Sequence, residues 1–296
     1  MKALVLFLLG QKGYEVLNAA ISGGYKDMVQ LVVIGNDNNV HKDFFNEIEA
    51  LCDAYHIKHC VRTESLELPN GVMGYIAIAA GWRWLINSQF RQTIVFHDSL
   101  LPKYRGFNPL VTAMLNLDSE TGVTAIIANK DFDCGDIVEK KSIGLVYPIK
   151  IQDAINKISC LYFDLAQSIF SKIERNGCLL GVPQDERSAS YSVWRDEEDY
   201  RIDWNKSSDY IEHFVKCLSF PYKGASTIFN GSLIRILDAK IEKDVQVENR
   251  DVGKVLFVID GKPIVICGVG LLRINAAVDE GGQDVLPFKN FRTRLL

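Results

Sequence analysis

Two short apolar runs, Tyr75-Ile-Ala-Ile-Ala-Ala80 and Thr93-Ile-Val-Phe-His97, decide the fold of this chain. Each is too short for a buried helix, so each reads as a strand covered on both faces. Working outward, Lys2–Leu9 and Gln30–Ile34 are two more runs of the same kind. Helical patterns lie between them. One runs from a Gly10-Gln-Lys-Gly13 turn to Ser22. Another, over His41–Tyr55, sets Phe44, Phe45, Ile48, Leu51 and Cys52 at helical spacing. Strand–helix alternation of this kind predicts an α/β architecture, a Rossmann-like doubly wound, mostly parallel sheet with helices on both faces. Ligands of such sheets lie outside the carboxyl ends of the strands, which points to Ala80-Gly-Trp82 and Phe96-His-Asp98.

The rest of the chain follows a different pattern. Thr121–Ala128 and Asp136–Ile143 are strand-like around a Gly-containing loop. Ile151–Ile173 is a long amphipathic helix with its stripe on Ile151, Ile155, Ile158, Tyr162, Leu165 and Ile169. The polar stretch Gln184–Ser190 reads as a linker. Beyond it come a short helix, Ser208–Leu218, and strand runs at Ala225–Phe229, Leu233–Leu237, Gly253–Ile259, Ile264–Cys267 and Leu271–Ile274. Short strands between Gly/Asn/Asp turns predict a small antiparallel, OB-like β-barrel. A chain of 296 residues exceeds one comfortable core, since single cores stop growing near roughly 250–300 residues. Two domains are expected, 1–188 and 189–296.

Composition narrows the function classes. Apolar residues are 48% and charged residues 24%, an ordinary globular balance that excludes a disordered chain. Thirty-three Lys+Arg against 37 Asp+Glu give a formal charge of −4, which disfavours nucleic acid as the main partner. The run Ala3–Leu9 is far short of a membrane span and carries no cleavage signal. Seven scattered cysteines without an export signal read as reduced thiols in a cytoplasmic protein. Cys52, His56, His59 and Cys60 are metal-ligating types, but their spacing matches no common zinc module, and no metal is expected.

The chemistry is concentrated in His97-Asp-Ser-Leu-Leu-Pro-Lys-Tyr-Arg-Gly-Phe-Asn-Pro109. An apolar strand delivers His97 to its carboxyl end, where an imidazole with an ordinary pKa of about 6.5 suits acid–base work. Asp133, in Asp131-Phe-Asp-Cys-Gly-Asp-Ile137, could orient that ring and stabilise its charged form, or simply close an Asx turn. Gly10-Gln-Lys-Gly13 could cradle a phosphate through Gly10 and Lys12, or be a tight turn.

Together, His97–Gly106, Thr121-Gly-Val-Thr124 and Asp133-Cys-Gly-Asp-Ile137 resemble the formyltetrahydrofolate-dependent formyltransferases, which include methionyl-tRNA formyltransferase and the sugar N-formyltransferases. Ala80–Ile86 is similar to the loop that holds the folate pterin in the sugar enzymes. Arg201-Ile-Asp-Trp204 and Gly224-Ala225 look like the C-terminal domain of the methionyl-tRNA enzyme. The resemblance implies N10-formyltetrahydrofolate as formyl donor and no metal. It implies His97 and Asp133 as catalytic residues. It implies a cofactor site at Trp82, Arg83, Trp84, Leu85, Ile86, Leu100, Asn129, Asp131 and Asp133, and acceptor contacts from Ser99 and Tyr104. One departure stands out: the family asparagine two residues before the histidine, a donor to the developing oxyanion, is Val95 here. Asn108 and Asn129 are candidate substitutes, with Asn108 taken as the catalytic one.

The loop after the second strand, Gly35-Asn-Asp-Asn-Asn-Val40, has no basic insertion for an acceptor stem. Gly81-Trp-Arg-Trp84 and Lys103–Phe107 look more like the sugar branch. The expected acceptor is therefore a nucleotide-linked amino-dideoxy sugar, by resemblance a 4-amino-4,6-dideoxy sugar for a surface glycan. The alternatives are initiator tRNA, a folate-binding pseudoenzyme motivated by Val95, and a formyltetrahydrofolate hydrolase. Apolar residues of the C-terminal domain could serve a ligand, a homodimer contact or simple packing.

Overall fold

The computed structural model describes residues 3–37, 40–63, 68, 71–86, 90–288 and 292–296. The chain forms two compact units: Met1–Asn38, Lys42–Val146 and Asp153–Trp194 make one, and Asn39–His41, Tyr147–Gln152 and Arg195–Leu296 the other. Among the described residues, no helix is long and apolar enough to cross a membrane.

The first unit is built on a seven-stranded sheet. Its strands are β1 (Leu4–Leu8), β2 (Val29–Ile34), β3 (His59–Val61), β4 (Ile76–Ala80), β5 (Gln92–His97), β7 (Glu120–Ile127) and β8 (Asp136–Gly144). A two-residue strand, β6 (Arg105–Gly106), pairs separately in parallel with β9 (Tyr191–Ser192). The order in the main sheet is β3-β2-β1-β4-β5-β7-β8. The first five strands are parallel, joined through crossovers such as α1 (Gly10–Ser22) and α2 (Phe45–Ala54). The last two are antiparallel. The reason is covalent: only the loop 128–135 separates β7 from β8, and a parallel return needs a crossover of a dozen or more residues.

Apolar residues dominate the central strands because both sheet faces are covered. One face gathers Val5, Phe7, Leu31, Val33, Ala77 and Ala79, with Trp82, Phe90 and Val95 packed against them. Neighbouring positions along a strand point to opposite faces, so Phe96 meets Tyr162 on the other side at 5.7 Å between ring centroids. Tyr162 belongs to α4 (Ile151–Asn176), which confirms the long amphipathic helix read from its stripe. Its buried hydroxyl donates to Phe96 O at 3.0 Å and to Asp98.

Two local expectations are corrected. Gly10-Gln-Lys-Gly13 is the first turn of α1 itself, which opens at Gly10 with φ +68°. The polar stretch Gln184–Ser190 is not a linker: it lies in the first unit and leads into β9. The helix α3 (Pro109–Leu115), started by a proline at its first position, follows the histidine loop.

The second unit carries α5 (Ser208–Leu218), capped by the Ser207 hydroxyl, which accepts from Tyr210 N. Its sheet has the order β10 (Ala225–Phe229), β11 (Ser232–Glu242), β14 (Leu271–Asp279), β13 (Lys262–Ile266), β12 (Val255–Ile259), all antiparallel. The C-terminal residues join the two edges. Leu296 exchanges backbone bonds with Ile228 beside β10, and Leu295 N donates to Gly253 O near β12.

Glu139 ties β8 to α4, accepting from Ser168 Oγ at 2.6 Å and Lys172 Nζ at 2.7 Å. Partial burial pushes its carboxyl up, but the Lys172 and Ser168 bonds outweigh this and hold it below the usual range. A depressed carboxyl contributes stability above the ordinary value of about 4.3, and loses it as pH falls through the native value. Glu139→Gln is therefore expected to lower the unfolding midpoint at neutral pH. The gap from wild type should close as the pH is taken below about 4 in a denaturation series.

Candidate active site

The site grows from the carboxyl end of β5. Parallel pairing with β4 sets Phe96 beside Ala80, so His97 emerges level with the Gly81-Trp82 exit of the neighbouring strand. Its ring is 8% exposed. The loop that follows is fastened from within. Ser99 Oγ donates to Lys103 O at 2.6 Å, and Thr124 Oγ1 donates to Ser99 O at 2.6 Å while accepting from Leu101 N at 3.1 Å. It is also fastened from the stretch before the second unit. Tyr104 N donates to Ser190 Oγ, Arg105 N to Ser190 O, and Phe107 N to Ser192 O. Gly106 makes that approach possible: its φ is +97°, and a Cβ there would stand 2.5 Å from Ser192 O.

Asp133 arrives from the loop between β7 and β8, itself at φ +56°. The turn is closed by Gly135, where a Cβ would lie 1.9 Å from Ile127 O. Asp133 Oδ1 is 3.4 Å from His97 Nδ1, and Asp133 Oδ2 accepts from Gly106 N at 2.9 Å. The other ring nitrogen, His97 Nε2, is 2.7 Å from Tyr104 O. A carbonyl oxygen only accepts, so Nε2 carries a proton in this arrangement. Any further proton on the ring goes to Nδ1, against the carboxylate. Neighbouring Cys134 is not an activated nucleophile: burial pushes its thiol up, although Arg105 pulls it down. Among the described residues, no cluster of three or more His, Cys, Asp or Glu side chains is arranged to hold a metal.

This buried His–Asp pair lies inside the span matched by a family model. Residues 75–162 match the formyl transferase model and residues 195–294 match the formyl transferase C-terminal domain model, together more than half of the chain. The chain belongs to the formyl transferase family. Among curated relatives, a methionyl-tRNA formyltransferase from Caldanaerobacter subterraneus is 31% identical over 187 residues, covering 63% of this chain and 59% of that protein. The chain thus spans about three fifths of the relative it matches. Among solved structures, an N-formyltransferase from Helicobacter canadensis, in complex with folinic acid and dTDP-3-aminofucose, superposes with a TM-score of 0.65 at 18% identity. That match covers 93% of this chain and 99% of the other. HypX from Aquifex aeolicus has a TM-score of 0.63 at 18% identity, over 97% of this chain and 46% of its own. At these identities the two structures establish a shared fold.

The other expected residues fall into three groups. Trp82, Arg83, Trp84, Leu85 and Ile86 leave β4 on the same side as His97. Trp82 packs edge-on against Phe7 at 5.2 Å and Trp84 at 4.9 Å. Arg83 pairs with Asp37, the Arg62 guanidinium lies 4.4 Å from the Trp84 ring centroid, and Leu85 is exposed. Among the described residues Trp82 Nε1 is buried without a partner, an unused donor beside the Phe7 and Trp84 rings, which fits a planar heteroaromatic group with its own acceptors. These residues would hold a folate pterin there.

A second group serves the loop itself. Buried Ser99 spends its hydroxyl on Lys103 O, Tyr104 accepts at its hydroxyl from Asn116 Nδ2 at 2.9 Å, and Leu100 packs over Gly122. Asn129 accepts from Asp131 N in a local exposed turn. The third group is Lys12, Gly10 and Asn108. Lys12, expected near a phosphate, pairs with Asp98, and Gly10 begins α1. Asn108 sits at φ +51° at the start of α3, its carbonyl accepting from Thr112 and its side chain making no cap bond. Sequence reading missed Gln184 and Glu186, which reach back to Arg105. A buried arginine after a catalytic strand demands acceptors, and that was the only signal for them.

Asp133→Asn keeps an acceptor for Gly106 N and removes the charge facing His97. The expected outcome is a fall of about 10²–10⁴-fold in formyl transfer, read as tetrahydrofolate release, with little change in the thermal midpoint. A variant within about threefold of wild type would remove Asp133 from the chemistry.

Proposed function

We propose that this chain transfers a formyl group from N10-formyltetrahydrofolate to the amine of a nucleotide-linked amino-dideoxy sugar. The observation that carries the reading is the buried His97–Asp133 pair at the carboxyl end of β5, flanked by the half-buried aromatic segment 82–86. The bound folate supplies the activated formyl group. The protein residues then have two tasks, to receive the amine proton and to steady negative charge on the formyl oxygen.

For the first task, Nε2 is committed to Tyr104 O, so the open lone pairs of the pair lie on Nδ1 and the Asp133 carboxylate. Asp133 is the more exposed partner, 18% against 8% for His97, and faces an arriving amine first. The pair takes up the proton as a unit, with His97 as the buried half of the relay.

For the second task, Val95 offers nothing. It lies two positions before His97 on the same face of β5 and packs against the apolar cluster around Phe7 and Ala79. One oxyanion donor is worth about 10²–10³ in rate. Asn108 is our choice for that donor, because among the described residues its side chain makes no cap bond at the helix start, two residues after Gly106, which holds Asp133.

Support for a sugar acceptor is of two kinds. The loop after β2 has no cationic stretch, the nearby Arg83 is neutralised by Asp37, and the net charge is −4. An RNA-gripping surface would need phosphate-facing Lys and Arg. The likeness to the Helicobacter canadensis enzyme also covers 93% of this chain and 99% of that one, and that enzyme was solved with a nucleotide-linked amino sugar.

The test is tetrahydrofolate release from N10-formyltetrahydrofolate with a panel of UDP-, dTDP- and GDP-linked 3-amino and 4-amino dideoxy sugars. Release that depends on one sugar establishes the transferase. Release without any acceptor would make the chain a hydrolase. Activity on initiator tRNA alone, falling steeply with salt, would replace the sugar with RNA. Asn108→Ala is expected to lower the acceptor-dependent rate about 10²-fold or more, and a rate unchanged from wild type would place the oxyanion donor elsewhere.

A further inference from the structure

Arg105 is the largest fully buried side chain in the first unit, 1% exposed. Its guanidinium has five N–H donors, and five bonds meet them. Nε and Nη2 donate to Gln184 Oε1 at 3.1 and 3.0 Å. Nη1 and Nη2 donate to Glu186 Oε2 and Oε1 at 2.8 and 2.7 Å. Nη1 also donates to Tyr191 Oη at 3.3 Å. The Glu186 bond pushes the guanidinium further into its protonated form, and Arg105 in turn holds the Glu186 carboxyl below its ordinary range.

This saturation fixes Gln184 as well. Its Oε1 faces donors only, so its amide nitrogen must point the other way. There Nε2 donates to Asp133 O at 2.7 Å and Gly135 O at 2.8 Å. Both acceptors are backbone carbonyls of the turn that carries the catalytic carboxylate. Asp133 stands in left-handed backbone, where the surroundings must hold a non-glycine residue. The amide has one orientation that satisfies both sides, and a flipped amide would set oxygen against two carbonyls.

We propose that Gln184 and Glu186 are positioning residues for Asp133, acting with Arg105 as a clamp that fixes the 133–135 turn from the segment preceding the second unit. The inference rests on the His97–Asp133 reading of the site and deepens it. Neither residue touches the reacting atoms. Their role is to hold Asp133 where its two oxygens reach His97 Nδ1 and Gly106 N together. Glutamate at 184 would place a second acceptor against the carbonyls and a second anion beside Glu186. Methionine would keep the length and lose every bond.

The experiment uses the full chain with Gln184→Met, Gln184→Glu and Glu186→Gln, and with Asp185→Asn and Arg187→Gln as exposed neighbours outside the clamp. Two readouts are taken. With the acceptor that supports turnover, the clamp variants lose about 10²-fold in kcat at nearly constant KM, as a displacement of order 1 Å does. In the ligand-free protein, amide exchange at Gly106 reports whether Asp133 Oδ2 is in place. It accelerates about tenfold or more in the clamp variants, while Phe107, which donates to Ser192 O, keeps its protection. Equal loss of protection at Gly106 and Phe107 would mean general loosening of the loop and would overturn the positioning role. Wild-type kcat or wild-type Gly106 exchange in Gln184→Met would overturn it as well. If wild type turns over no acceptor, the proposed function fails by itself, and the exchange comparison still decides the clamp.

Discussion

The hydrogen bond from Gly106 N to Asp133 Oδ2 is the contact on which this site depends. It joins the loop after β5, which brings His97, to the turn before β8, which brings Asp133. The two segments have no reason to meet in sequence. Strand pairing alone does not join them: β7 runs antiparallel to β5, so the 128–135 loop starts beside Thr93, at the other end of β5, and turns back to reach His97. The hydrogen bond then sets the distance. With one carboxylate oxygen held by the backbone, the other is left for the imidazole, and a charge that would repel a neutral lone pair becomes the partner of a protonated ring.

That arrangement is costly in local terms, and the surrounding chain shows how it is met. Asp133 and Asn108 occupy left-handed backbone, and Gly106 a conformation that only glycine takes easily. Buried Arg105 would be a liability without acceptors. The same segment that supplies those acceptors, Gln184 to Ser192, also supplies the acceptors for the backbone N–H groups of Tyr104, Arg105 and Phe107. A stretch that carries little apolar surface thus orders the loop through polar bonds alone, and its geometry is as exacting as that of a strand.

What sequence reading recovers follows from this division. β1, β4, β5 and α5 are legible because apolar periodicity is a local signal, and their bounds fall within a residue or two of expectation. His97 and Asp133 are legible because a strand end and a glycine turn mark them. The Gln184–Ser190 segment was misread because polar composition looks the same whether a stretch is solvated or bonded to a buried arginine. The start of α1 was misread for a related reason: Gly10 and Gly13 resemble turn residues, yet Gly13 is buried within the helix, where a Cβ would lie 2.9 Å from Leu8 Cβ. Lys12 reads as a phosphate contact or part of a tight turn, and its pairing with Asp98, far along the chain, leaves no local signal.

The site turns on the proton of His97, fixed on Nε2 toward Tyr104 O, with Nδ1 left to meet Asp133. Nitrogen-15 spectra of the imidazole rings test it without any substrate, and with five histidines in the chain the resonances are assignable by substitution. The expected result is a protonated Nε2 in the ligand-free protein, with Asp133→Asn shifting the Nδ1 resonance and leaving Nε2 in place. A neutral ring protonated on Nδ1 with a bare Nε2, indifferent to Asp133→Asn, would contradict it.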